Sequence, residues 1–69
     1  MKVNKDIITV AHKIASQRDV SVYYAMSMLD ELTAVWDIDN ALEYGNYIGS
    51  GIDISCNEYA RQCGLKILS

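Results

Sequence analysis

The sequence predicts an all-α fold: a compact bundle of three to four short helices with the second helix central. Apolar residues recur at three- and four-residue steps through most of the 69 residues. A serine, aspartate or asparagine stands at the head of each such segment, where a helix N-cap belongs. Proline is absent, and the alternation of Ile52-Asp53-Ile54 supports just a short strand as a local alternative.

Asn4 is placed to cap a first helix running to about Gln17. Ile7, Val10, Ala11 and Ile14 follow the i, i+3, i+4, i+7 rule, with Ile8 and Ala15 widening the stripe. His12 falls on the opposite, solvent-facing side. After Gln17-Arg18-Asp19-Val20, either Asp19 or Ser21 can cap a second helix, about 22 to 36. With Ser21 as the cap, Val20 could staple onto Ala25. Val22, Ala25, Leu29, Leu32 and Trp36 form one stripe, flanked by Tyr24, Met28 and Val35 on one shoulder and Met26 on the other. At 100° per residue that arc covers roughly 200°, about twice what one buried face requires. Either this helix is central or part of its surface is an interface.

Asp37 or Asp39 should cap a third helix to about Ile48, with Ile38, Ala41, Leu42, Gly45 and Ile48 on one side, Tyr44 at its edge and Tyr47 opposite. Gly45 costs about 1 kcal/mol relative to alanine there, so close packing or an early end is expected. Gly49-Ser50-Gly51 breaks the chain, and a hairpin over residues 47–54 is the competing local possibility. Ser55-Cys56-Asn57-Glu58 has the form of a capping box opening a short fourth helix, which Gly64 should end in the left-handed conformation. Leu65, Ile67 and Leu68 are expected to fold back on the core. Ile14, Ala25, Leu29, Leu32 and Trp36 are its expected centre.

Length and composition bound the function. Sixty-nine residues make a single domain that buries only roughly 60% of its unfolded surface, so association is a common source of added stability. Hydrophobic residues at 51% argue against disorder. No stretch approaches the roughly 20 apolar residues of a membrane span. Asp6, His12 and Lys13 interrupt what would be the apolar part of a signal peptide, and there is no Asn-x-Ser/Thr site, so a cytoplasmic protein is expected. Cys56 and Cys63 lie seven apart on one helix, at roughly 10 Å, beyond the roughly 7 Å between Cα atoms that a disulfide allows. They are expected to be reduced.

Catalytic and cofactor signatures are missing. There is no phosphate-binding glycine loop, no His-Glu-x-x-His and no Gly-x-Ser-x-Gly, and the one histidine lacks a catalytic partner. Asp37-Ile38-Asp39-Asn40 begins like a calcium loop. However, Ala41 falls where a ligand is needed and Leu42 where the loop requires glycine. Neither an enzyme, a metal site nor a cofactor is expected.

Charge is segregated. Residues 1–18 carry Lys2, Lys5, Lys13 and Arg18 against Asp6, a net of +3. Residues 19–60 carry Asp19, Asp30, Glu31, Asp37, Asp39, Glu43, Asp53 and Glu58 with no lysine or arginine, a net of −8.

Ala15, Asp19-Val20-Ser21, Ala25 and Met28 sit at helix-turn-helix spacings. Residues 11–31 thus resemble the Ala-x-x-x-Gly-Val-Ser pattern of bacterial regulators, with Asp19 in place of the turn glycine. The same segment more loosely resembles the first helical pair of histone-like HU proteins, which begin with Asn-Lys; that family's basic β-arms have no counterpart here. The helix-turn-helix resemblance implies a dimeric DNA-binding regulator whose second helix meets DNA. That helix offers Tyr23, Tyr24, Ser27, Asp30 and Glu31 and no cation, which phosphates would repel.

The expectation is therefore a non-enzymatic interaction protein that binds a basic partner through Tyr23, Tyr24, Asp30, Glu31, Asp37, Asp39, Glu43 and Tyr47. Its size and charge are similar to those of small phage or mobile-element proteins that inhibit host nucleic-acid-binding proteins. A homodimer with Tyr24, Met28 and Val35 at the contact is also expected. The alternative is the DNA-binding regulator.

Overall fold

The computed structural model describes residues 5–68, which form four helices: α1 (Lys5–Arg18), α2 (Val22–Thr33), α3 (Ile38–Gly49) and α4 (Cys56–Cys63). No strand occurs among the described residues, so the hairpin alternative fails: Tyr47 and Ile48 lie within α3. The expected cap Asn4 lies outside the described residues.

The other caps are made by the residues that the sequence offers. Ser21 Oγ accepts from the Tyr24 amide at 3.0 Å, and Asp37 Oδ2 accepts from the Asn40 amide at 3.2 Å. Ser55 Oγ accepts from the Glu58 amide at 3.2 Å, and Gly64 closes α4 at φ +68°. Each satisfies a backbone group that a helix end leaves without an intrahelical partner.

α2 ends at Thr33, short of the expected residue 36, because its exit tightens. The Ala34 and Val35 amides donate three residues back, to Glu31 and Leu32. The Trp36 amide still reaches Leu32 O at 2.8 Å, so the indole enters the core just before the Asp37 cap opens α3.

The core joins Val10, Ala11 and Ile14 of α1 to Ala25, Leu29 and Leu32 of α2, Trp36, and Ala41, Tyr44 and Ile48 of α3. Tyr59 and Ala60 of α4 close it. All five side chains expected at its centre are buried. α2 supplies three of them, yet the helix with the broadest contacts is α1, which lies against both α3 and α2. Glycine explains that shift. A Cβ at Gly45 would sit 2.5 Å from Val10 Cγ1, and one at Gly49 would sit 2.9 Å from Lys13 Cβ. Two glycines one turn apart let α3 approach α1 more closely than side chains would permit. Of the stripe expected on α3, Ile38 turns out exposed and Tyr44, placed at the edge, is buried.

The tail folds back in part. Leu65 and Leu68 pack against the core, whereas Ile67 is exposed. Trp36 Nε1 donates to Lys66 O at 2.9 Å, and Asn57 Oδ1 accepts from the Leu68 amide at 2.9 Å.

Candidate functional site

Six aromatic rings are present, and the fold divides them. Trp36, Tyr44 and Tyr59 form a cluster with centroids 5.4–5.9 Å apart, and Tyr47 joins it edge-on at 5.8 Å from Tyr59. The polar tips of the two buried tyrosines have partners: Tyr44 Oη donates to Ile54 O at 3.0 Å, and Tyr59 Oη to Asn40 Oδ1 at 2.9 Å. Burial pushes both phenols well above the ordinary tyrosine value. These four rings serve the fold. Tyr23 and Tyr24 remain outside it, 83% and 62% exposed.

The expected contact residues fall into two groups. On α2, Tyr23, Ser27 and Asp30 share one exposed stripe, and Tyr24, Met28 and Glu31 lie beside it at helical spacing, with Val35 just past the helix end. Tyrosines occupy the first turn and carboxylates the last, with half-buried Met28 between them and half-buried Val35 beyond the helix end. Neither Asp30 nor Glu31 forms an ion pair among the described residues. Carboxylates in a last turn oppose the helix dipole, and no basic residue there offsets them.

The α3 group is engaged locally. Asp37 caps its helix and also accepts from Asn40 Nδ2 at 2.7 Å; that side-chain bond holds its carboxyl below the ordinary value. Glu43 accepts from Tyr47 Oη at 2.8 Å, which raises the Tyr47 phenol. Asp39 is exposed in the first turn, where the dipole favours it. Tyr47, expected opposite the apolar stripe, packs on the core instead. The tyrosine-and-acid surface is thus concentrated on α2.

Beside that face runs a groove of ≈ 290 Å³. Ile14, Val20, Met28 and Ile48 form its apolar walls, with Tyr24, Tyr44 and Arg18 completing it. Sequence reasoning missed it because it requires three helices at once. Tyr59 was missed as well, although Cys56, Tyr59, Ala60 and Cys63 keep the i, i+3, i+4, i+7 spacing that would have marked its buried face.

The turn before α2 bears on the helix-turn-helix resemblance. Asp19 adopts φ +55°, the left-handed conformation for which glycine is the usual choice, and the Val20 amide reaches back to Ala15 O at 3.1 Å. His12 is exposed on α1. Among the described residues, no three histidine, cysteine or carboxylate side chains gather as metal ligands would, and no helix is long and apolar enough to cross a membrane. Cys56 and Cys63 are both free thiols. The chain matches no protein-family model, no curated protein and no solved structure.

Proposed function

We propose that this chain is a non-enzymatic, cytoplasmic interaction protein that docks a basic partner on the exposed face of α2. One observation carries the proposal: Tyr23 and Tyr24 project from the same face as two carboxylates, Asp30 and Glu31, that form no ion pair among the described residues. Exposed aromatic rings supply anchor area, and uncompensated acids steer a cationic surface toward it. Asp39 and Glu43 extend the negative field from α3. A partner whose cationic surface serves nucleic acid would be blocked by such occupancy, which is how an inhibitor of the phage type would act. Homodimerisation through Tyr24, Met28 and Val35 belongs to the same proposal.

Affinity capture on the immobilised chain tests it, run at low and high salt beside the double variant Asp30→Asn/Glu31→Gln. Captured proteins should be basic, and the variant and high salt should both release them. Retention indifferent to both changes overturns the proposal.

A DNA-binding regulator is the second reading, favoured by the left-handed Asp19 at the position of the turn glycine. Against it stands the absence of any cation on α2. In that reading Lys13 and Arg18 of α1 would have to provide the phosphate contacts.

A further inference from the structure

We propose that the groove between α1, α2 and α3 is a binding site for a small amphiphilic carboxylate: an aliphatic or aromatic acid of roughly ten non-hydrogen atoms. This goes beyond the acidic docking face, with which it shares only Tyr24 and Met28.

The size follows from the volume. At about 30 Å³ per water-sized unit, ≈ 290 Å³ holds roughly ten such units, at the lower limit of small-molecule pockets. The body of the ligand follows from the walls. Ile14, Val20, Met28 and Ile48 present hydrocarbon or thioether, and the ring of Tyr44 closes one side. The hydroxyl of Tyr44 is already committed to Ile54 O, so it has no proton to donate to a ligand.

The head group follows from charge. Arg18 is the one charged residue lining the groove, and no carboxylate among the lining residues accompanies it. Its guanidinium forms no ion pair among the described residues. Asp53 lies across the adjoining depression with Gln17 and Gly51, without closing on Arg18. In a chain with more acids than bases, a cation left free at the mouth of an apolar groove complements an anion attached to an apolar body. Guanidinium meets carboxylate with two parallel hydrogen bonds, and apolar walls beside it reduce competition from water.

The test is a nuclear magnetic resonance titration of the full chain with octanoate, using 1-octanol and octylammonium at equal ionic strength as head-group controls. The methyl signals of Ile14, Val20, Met28 and Ile48 should shift and saturate, with the weak affinity expected of so few atoms. Octanoate should bind about tenfold more tightly than octanol, the worth of one charge-assisted contact. Arg18→Gln should bring octanoate down to the level of octanol, and Arg18→Lys should retain part of the difference. Arg18 is exposed at the end of α1, so neither substitution threatens the fold. Met28→Trp, checked for helicity by circular dichroism, should fill the groove and remove the saturable shifts. Asp30→Asn/Glu31→Gln should leave octanoate binding unchanged, which separates this site from the docking face. Octanol binding as tightly as octanoate, unchanged octanoate affinity in Arg18→Gln, or no saturable shift at millimolar ligand overturns the proposal.

Discussion

The indole Nε1–H of Trp36 donates to the backbone carbonyl of Lys66 at 2.9 Å, across thirty positions of sequence. The ring is buried against Tyr44 and Tyr59, so a single side chain joins the aromatic cluster to the returning tail. Trp36→Phe preserves most of the apolar area but leaves Lys66 O without this donor. The expected cost is about 1–3 kcal/mol, and amide exchange should accelerate at Leu65 and Leu68 before it does in α1. Uniform loss of protection across the chain would show that the tail is held by other means.

Leu29 is fully buried where α2 meets the Gly45 notch of α3. Leu29→Ala should cost about 2–5 kcal/mol in denaturant unfolding, a large share of what so small a domain possesses. A midpoint that barely moved would contradict the packing of α2.

Gly45→Ala sets helix propensity against packing. Alanine gains about 1 kcal/mol within an exposed helix. Here its Cβ would meet Val10 Cγ1 at 2.5 Å and Leu29 Cδ2 at 3.0 Å, so α1 and α3 must separate. Overpacking should win, with net destabilisation of about 1–3 kcal/mol. Stabilisation would mean that Val10 repacks freely.

The buried phenols make stability fall at high pH. Burial raises Tyr44 and Tyr59 above the ordinary tyrosine value of about 10, so the folded state favours their neutral forms. Their contribution is fully present below the unfolded value and is lost as pH rises through the folded one. Unfolding midpoints should therefore decline above about pH 10. Tyr44→Phe/Tyr59→Phe should flatten that decline, and an unchanged decline would assign it to other groups.

What the sequence disclosed was what local chemistry decides. Ser21, Asp37, Ser55 and Gly64 cap helices because each acts on a backbone group within three or four positions of itself. Ile14, Leu29 and Leu32 were legible because their burial follows helical period. Tyr44, Tyr47 and Tyr59 were not, since whether a tyrosine is a core ring or a surface anchor depends on a distant partner for its hydroxyl. Ile54 O and Asn40 Oδ1 provide those partners for Tyr44 and Tyr59, and neither pairing is visible in a helical wheel. Of the expected contact residues only Tyr47 turns to the core, while Asp30, Glu31, Asp37, Asp39 and Glu43 are all exposed. Tyr23 and Tyr24, already expected at the contact from the sequence, are exposed.

The most direct test of the docking face is an amide-resolved titration of the full chain with two probes: an arginine- and leucine-rich amphipathic helical peptide and a duplex DNA. The peptide should shift Tyr23, Tyr24, Ser27, Asp30 and Glu31. Its affinity should fall as salt shortens the screening length to about 8 Å and fall again in Asp30→Asn/Glu31→Gln, with the helical spectrum unchanged. Duplex DNA should leave those signals in place. Saturable DNA binding that strengthens in the neutralised variant and disappears in Lys13→Ala/Arg18→Ala would contradict the account and identify the chain as a DNA-binding regulator.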